Sequence, residues 1–226
     1  MAGVSAIIVT RGNVDLSAQI AALPKEWEVV VWDNGVNAVY VNDEMVESHR
    51  DDVAVYGRYL AIEYATHKQI YVQDDDCIVS DPERITQAWF EQCPSITLGW
   101  ERSHSNTPYR GIVSNMPERF RHDFYERHAL VGFGASFERD APRRAFDAFF
   151  EMGFEFDWPF FYRTCDIVFT GLTEHTRVDV PHEDMPYASD PDRMWRQPTH
   201  QGERSRMLEL VTAARQGLGL ADGVYL

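Results

Sequence analysis

Three consecutive aspartates, Asp74, Asp75 and Asp76, are the residues whose type and spacing point most directly to chemistry. Adjacent carboxylates repel one another, so they need a compensating positive charge. In an extended segment residues two apart point the same way, so Asp74 and Asp76 can face one ligand while Asp75 points elsewhere. Hard divalent cations take oxygen ligands and keep positions open for substrate phosphates. The triplet therefore indicates a metal site for a phosphate-bearing ligand; the alternative is an acidic surface turn before a helix capped by Asp81.

The aspartates follow one of three short apolar runs that are typical of buried strands. These runs are residues 5–10, 28–32 and 69–73. Helical patterns over 15–22 and 53–67 separate them, and this β-α-β-α-β order predicts a parallel sheet with helices on its faces. Ligands of such sheets bind beyond the carboxyl ends of the strands. We therefore expect the polar turns that follow the three runs to converge at one edge.

The second half of the chain has a less regular pattern, and we expect it to complete a single domain that spans residues 1–226. Residues 184–201, which we call the polar loop, are rich in proline and polar side chains, and long loops in compact domains are often functional. The remaining predicted elements are strands at 96–100, 111–114, 129–137 and 178–180, and helices at 82–92, 142–152, 160–169 and 202–217.

The helix pattern around Arg58, followed by the run 70–73 and the three aspartates, resembles the nucleotide-diphospho-sugar glycosyltransferases of the GT-A fold. The resemblance covers roughly the first 100 residues well and the rest loosely. It implies an α/β fold with a mostly parallel central sheet flanked by helices. Residues 1–100 would bind nucleotide-sugar and metal, and residues 101–226 would bind the acceptor and end in a flap. It also implies a metal-dependent transfer, of the hexosyltransferase class, from a nucleotide-sugar donor such as a UDP-sugar.

The resemblance implies roles for individual residues of the first half. Thr10 and Arg11 would lie near the base and ribose of the nucleotide. Asp33 would hydrogen-bond the base or ribose from a turn shared with Asn34, although Asn-Gly after Asp33 is also a strong hairpin signal. Arg58 would reach the diphosphate or the aspartates, unless it is a solvated helix residue. Asp76 and Asp74 would hold Mn²⁺ or Mg²⁺, and Asp75 would touch the sugar or ribose.

In the second half, the resemblance suggests candidates for a catalytic base and for a further metal ligand. Asp166 lies in a segment like that of exostosin-type transferases, with Cys165 in place of their glutamate, and Asp157 lies in a segment like the acidic pair of the large inverting family. These two analogies imply different stereochemistry. The polar loop resembles a flap that closes over donor, and His200 or His182 would complete the metal shell.

Composition limits the partners. The net charge of −15 argues against stable binding to duplex nucleic acid or anionic membrane, and no apolar run is long enough to cross a bilayer. Three widely spaced cysteines and the lack of a signal-peptide pattern favour a cytoplasmic protein. The acceptor, whether glycan, protein or modified nucleobase, is not indicated. The alternatives are a nucleotidyltransferase acting on sugar phosphates, or a non-catalytic carbohydrate-binding protein with Trp89, Trp100, Trp158 and Trp195 as a stacking surface.

Overall fold

The structure of the protein is a computed structural model, and an eight-stranded sheet forms its centre. The structure describes residues 3–49, 51–92, 95–96, 109–116, 128–220 and 225–226. Within these ranges the strand order of the sheet is β11-β9-β10-β5-β1-β2-β3-β4, and two small two-stranded sheets pair β12 with β6 and β7 with β8. The strands are β1 Val4–Thr10, β2 Glu28–Asp33, β3 Ala38–Val41, β4 Glu44–Ser48, β5 Gln69–Asp74, β6 Cys77–Val79, β7 Ser95–Ile96, β8 Tyr109–Arg110, β9 Ile112–Asn115, β10 Ala135–Glu138, β11 His175–Val178 and β12 His182–Asp184.

The central sheet is mostly parallel, as predicted. β1 runs parallel to both β2 and β5, and β11 runs parallel to β9. Only β3 and β10 run against the rest among the eight strands described, because each pairs in the antiparallel sense with both of its neighbours. The register places Thr10 opposite Asp33. It places Val9 opposite Asp74. The carboxyl ends of the three central strands therefore meet at one edge, and the predicted convergence is confirmed.

Helices cover both faces of the sheet. Side chains of β1 alternate between two cores, with Ile7 and Val9 in one and Ala6 and Ile8 in the other. This alternation explains why the run is apolar throughout, since both faces of a central parallel strand are buried. The helices are α1 Ser17–Ala21, α2 Gly57–Leu60, α3 Pro82–Gln92, α4 Ala141–Glu151, α5 Trp158–Leu172 and α6 Pro198–Gly217. No helix in the described ranges is long and apolar enough to cross a membrane.

The first half departs from the sequence prediction in two places. The predicted helix at 53–67 is instead a 3₁₀ turn at Ala54–Tyr56, the short helix α2 and a second 3₁₀ turn at Ala61–Tyr64. Gly57 lies directly against Trp32, where any side chain at this position would overlap the indole. The second departure is the β3–β4 hairpin, which residue pattern alone did not indicate. Residues 34–37 form the turn between β2 and β3, and Asp33 pairs with Ala38 at its base, so the hairpin interpretation of Asp33-Asn34-Gly35 is correct.

In the second half, the predicted helices near 82–92, 142–152 and 160–169 are confirmed within a few residues. The predicted strand at 129–137 is shorter, because a 3₁₀ turn at Val131–Phe133 and a left-handed Gly134 with φ of +99° precede β10. The predicted strand at 96–100 lies mostly outside the described residues. The polar loop contains two 3₁₀ turns, at Pro186–Ser189 and Met194–Arg196, and α6 begins within it.

Candidate functional site

A cavity of about 720 Å³ opens at the carboxyl ends of β1 and β5. Its floor is the turn of three aspartates, and its opposite wall is formed by α5, the polar loop and the first turn of α6. The side chains that line it include six carboxylates and five arginines. They are Asp52, Asp74, Asp75, Asp76, Asp166, Asp184, Arg11, Arg163, Arg193, Arg196 and Arg204. In a chain of net charge −15 this is a marked local concentration of arginine.

Asp74, the last residue of β5, is held by a buried arginine. Arg58 is 1% exposed, and its Nη2 donates to Asp74 Oδ1 at 2.5 Å. The backbone of Gly132 lies against the other carboxylate oxygen, and a methyl group on Gly132 would overlap it. The glycine-rich segment noted in the sequence therefore serves a close backbone approach to this carboxylate. Burial raises the pKa of Asp74, and the neighbouring Arg58 opposes that rise.

The carboxylate and carbonyl oxygens of Asp75 are engaged in hydrogen bonds within the protein. The side chain is buried; one oxygen accepts from Thr10 Oγ1 at 2.9 Å and the other from Arg193 Nη1 at 2.6 Å. Its carbonyl accepts from Tyr187 Oη at 2.8 Å and from Gln19. The expectation that Asp75 touches sugar or ribose therefore does not fit this geometry, because both carboxylate oxygens already have partners. The residue instead attaches the polar loop to the end of β1.

Asp76 differs from its neighbours because no other side chain in the described ranges donates to its carboxylate or forms an ion pair with it. It is partly buried and lines the cavity, and the nearby Arg193 and its own backbone N–H offset its charge only in part. Burial, and then the neighbouring Asp74, raises the pKa of Asp76 to about 7. A carboxylate of this kind is stabilised when a cation approaches from the cavity. The pair Asp74 and Asp76 therefore fits a divalent cation chemically.

The described residues contain no cluster of three or more His, Cys, Asp or Glu side chains that could hold a metal by itself. Mg²⁺ in particular is usually held by one or two carboxylates together with water and substrate phosphates. The two aspartates match that kind of open site better than a closed protein cage.

Arg58 links the acidic turn to Asp166, the sequence candidate for the catalytic base. Its Nη1 lies 3.4 Å from Asp166 Oδ2, and Tyr59 Oη donates to Asp166 Oδ1 at 2.6 Å. Asp166 projects from the middle of α5 into the cavity. Tyr59 was not singled out from the sequence, where it contributed only to a helical apolar pattern. Its role depends on the packing of α2 against α5, which local sequence does not show.

His200 lies in the first turn of α6 and faces the cavity. It is 2% exposed, and burial lowers its pKa to about 4, so the imidazole is neutral at physiological pH. Its Nδ1 lies 3.7 Å from Glu203, which is bound by Arg163 through Nε at 3.0 Å. A neutral imidazole is the form that ligates metals. The prediction that His200 belongs to the site is compatible with this position.

Four other predicted residues serve the fold. Asp33 accepts from the backbone of Gly35 and Val36 in the hairpin turn and lies outside the cavity lining. Asn34 lines the cavity, but its amide bonds to Trp32, Val53 and Ala54. These contacts give both side chains a role in the hairpin, and their binding of the base or ribose stays a prediction.

Asp157 and His182 lie away from the cavity lining, so the structure gives no support to their predicted catalytic and metal-binding roles. The exposed Asp157 caps the N-terminus of α5 by accepting from Phe160 N at 2.8 Å. His182 belongs to β12, where it packs edge-on against Phe133, and it lies 3.4 Å from Asp184. Neither lines the cavity.

The polar loop forms one wall of the cavity and is attached to the acidic turn at several points. Besides Arg193, Met185 N donates to the carbonyl of Asp76 at 2.9 Å. Arg11, after β1, donates to the carbonyl of Asp192 at 3.1 Å. The position of the loop therefore depends on the Arg193 contact with Asp75 together with contacts to Asp76 and to Arg11 at the end of β1.

Comparison with known proteins finds similarity only at the level of structure. No family model matches the sequence, and no curated protein matches it. Among solved structures, the chain is similar to the mannosyltransferase PcManGT from Pyrobaculum calidifontis, solved in complex with GDP-Man and Mn²⁺, with a TM-score of 0.47 and 15% identity over 97% of this chain and 76% of that one. It is also similar to S. aureus TarS residues 1–349, with a TM-score of 0.42 and 9% identity over 95% and 72% of the two chains. Both scores lie below 0.5, so function has to be inferred from the site's own residues.

The contact between Gly132 and Asp74 predicts the effect of a single methyl group. Gly132→Ala should destabilise the protein by about 1–3 kcal/mol, because the methyl displaces either the buried carboxylate or the backbone. Gly202→Ala is the matched control, since nothing lies near that position in α6 and alanine favours a helix. Urea denaturation measures both. Equal stability of the two variants would contradict the close approach.

The raised pKa of Asp76 predicts a stability that falls as pH rises. Between about pH 4 and 7 the unfolded chain has released this proton while the folded protein retains it, so stability declines through that window. Asp76→Asn should therefore be more stable than the wild type at pH 8, by about 1–3 kcal/mol, and the difference should shrink as pH falls towards 4. Thermal unfolding in metal-free buffer checks this.

The control for that measurement is Asp147→Asn, which removes an exposed carboxylate from α4. It should leave the pH profile of the wild type unchanged. A profile for Asp76→Asn that parallels the wild type at all pH values would show that Asp76 is not perturbed by burial.

Proposed function

We propose that this protein is a metal-dependent glycosyltransferase that uses a nucleotide-diphosphate sugar as donor. The observation that carries the proposal is the cavity at the carboxyl edge of the parallel strands, where the carboxylates of Asp74 and Asp76 face a wall that contains arginine. This edge is where α/β sheets bind nucleotides and phosphates. The GT-A resemblance of the first 100 residues, which rests partly on the same aspartates, agrees with this proposal.

The distribution of charge favours a diphosphate together with a cation. Asp74 and Asp76 alone would repel an anionic ligand, and the arginines of the opposite wall alone would bind an anion without any need for the aspartates. Arg163, Arg196 and Arg204 on that wall are suited to phosphate oxygens, because a guanidinium presents a planar set of donors. A divalent cation on one side and arginines on the other would bind a diphosphate between them.

Asp74 and Asp76 are the residues that would hold Mg²⁺ or Mn²⁺, with His200 as the candidate for a further ligand. A cation bound there supplies Lewis-acid stabilisation of the charge that develops on the leaving diphosphate. Arg58 fixes the orientation of Asp74, and the Arg193 contact with Asp75 holds the polar loop over the turn, which limits the access of water to the donor.

Asp166 is the proposed proton acceptor for the acceptor hydroxyl. It is the carboxylate that faces the cavity from α5, on the far side of Arg58 from Asp74. The hydroxyl oxygen of the acceptor would form a bond to the anomeric carbon as its proton passes to Asp166. The bond from that carbon to the diphosphate oxygen breaks at the same time, and the electron pair leaves with the nucleoside diphosphate.

The residues that contact the nucleotide base are proposed separately from those that bind the metal and the phosphates. Because the side chains of Asp33 and Asn34 are engaged in the hairpin, Arg11 and the backbone after β1 and β2 are left to contact the nucleotide. A UDP-sugar is our first candidate donor. The acceptor is not assigned by these residues.

Metal-dependent nucleotide binding tests the proposal. We expect isothermal titration calorimetry to show binding of at least one of UDP, GDP or CDP in the presence of Mn²⁺ or Mg²⁺, and much weaker binding in EDTA. Asp76→Ala should weaken binding by at least about 10-fold, because the cation loses a ligand. Asp147→Ala, which alters a surface carboxylate far from the cavity, should bind as the wild type does.

Two results would overturn the proposal. One is the absence of binding to any of the three nucleotides, and the other is unchanged affinity in Asp76→Ala. Incubation of the matching nucleotide-sugar with a supplied hydroxyl acceptor, or with water as a slow acceptor, should release the nucleoside diphosphate. Release of pyrophosphate from a nucleoside triphosphate and a sugar phosphate would instead identify a nucleotidyltransferase.

A further inference from the structure

We propose that Tyr59 is a positioning residue that turns one defined oxygen of Asp166, Oδ2, towards the acceptor. This inference rests on the proposed function for its catalytic meaning. It also makes a claim about the carboxylate itself that holds or fails without any substrate. Tyr59 does not touch the cavity, and it acts only through Asp166.

The contacts of Asp166 divide its two oxygens. Oδ1 accepts the hydrogen bond from Tyr59 Oη at 2.6 Å. Among the described residues, Oδ2 has only Arg58 Nη1 as a polar neighbour, at 3.4 Å, which is longer than a good hydrogen bond. The carboxylate is therefore fixed at one oxygen while the other keeps its capacity to accept a proton. A carboxylate held at one end is an oriented base, and orientation within a fraction of an ångström matters for proton transfer.

The hydroxyl of Tyr59 keeps the proton that it donates to Asp166. Tyr59 is buried, and burial together with the carboxylate of Asp166 raises its pKa well above the ordinary value, so it stays protonated. Its ring is held edge-on by Phe146 at 5.0 Å and by Phe169 at 5.5 Å between centroids. Aromatic packing of this kind leaves the hydroxyl a single place to point.

Arg58 connects this arrangement to the proposed metal site. The same guanidinium donates to Asp74 and lies beside Asp166, and it is completely enclosed. Without Tyr59, Asp166 could swing fully onto Arg58 and form the short charge-assisted pair that this geometry lacks. Both oxygens of Asp166 would then face the guanidinium of Arg58, and Asp166 would no longer accept a proton from the acceptor. Tyr59 therefore keeps the base apart from the arginine that orients the metal-binding carboxylate.

The competing interpretation is purely structural, with the Tyr59 hydrogen bond joining α2 to α5. Tyr59→Phe separates the two, because it removes one hydroxyl and keeps the ring packing. Tyr64→Phe is a matched control, since Tyr64 also donates to a carboxylate, Glu47, at 2.6 Å, but at an exposed site away from the cavity.

The first measurement needs no substrate. In protein labelled with ¹³C-aspartate, the Asp166 carboxyl resonance is assigned by its loss in Asp166→Asn. We expect Tyr59→Phe to shift this resonance and, through the shared Arg58, that of Asp74, while aspartates outside the cavity keep their signals. Tyr64→Phe should leave the Asp166 resonance unchanged. An Asp166 signal that is identical in Tyr59→Phe and in the wild type overturns the proposal, whatever the protein does with nucleotides.

The second measurement uses hydrolysis of the nucleotide-sugar whose diphosphate binds in calorimetry, with water as the probe acceptor that gives its proton to Asp166. We expect kcat of Tyr59→Phe to fall about 10- to 100-fold while the donor KM and the Mn²⁺ affinity stay within about 2-fold, since only proton transfer is affected. An unchanged kcat with a lower Tm would assign Tyr59 to structure alone and overturn its role. Failure of the wild type to bind any of the nucleoside diphosphates would refute the proposed function, and the carboxyl resonance would still decide whether Tyr59 positions Asp166.

Discussion

Neutralisation of the aspartates at the end of β5 is the interaction on which the rest of this structure depends. Three adjacent carboxylates at the buried edge of a sheet cannot all be charged without positive partners. Arg58 supplies one partner from the helix before the strand, and Arg193 supplies the other from the polar loop 118 residues later. The third carboxylate, Asp76, has no ion pair and no side-chain donor in the described ranges, and this asymmetry supports the proposal of a ligand there.

The same two arginines also position the rest of the cavity. Arg58 brings Asp166 of α5 close to Asp74, so the second half of the chain contributes its carboxylate at the right edge of the sheet. Arg193 draws the polar loop over the turn, and Tyr187 and Gln19 reinforce that contact at the carbonyl of Asp75. Removal of either arginine would leave a buried charge unpaired, which is costly in a protein interior. The charge balance and the shape of the site are therefore maintained by the same contacts.

The parallel core and the acidic turn could be predicted because their signals are local. Apolar runs of five or six residues, separated by helical patterns, determine the strand order near β1, and the polar residues after each run then converge by topology. The partners of the aspartates could not be assigned in the same way. The Tyr59 hydrogen bond spans 107 residues and the Arg193 pair spans 118, and no spacing rule relates residues so far apart. For Asp33 and Asn34 the sequence could not separate a hairpin turn from a ligand-binding turn, because both favour the same residue types.

A crystal soaked with Mn²⁺ and the nucleoside diphosphate that binds in solution tests the central claim most directly, through the anomalous signal of the metal. Charge neutralisation at Asp76 predicts one strong peak within bonding distance of both the Asp74 and Asp76 carboxylates, at about 2.0–2.3 Å, and in contact with the diphosphate. Asp75 should remain paired with Arg193 in the same crystal. A diphosphate bound in the cavity without a metal peak at Asp76, or a peak held by other residues, would contradict the account.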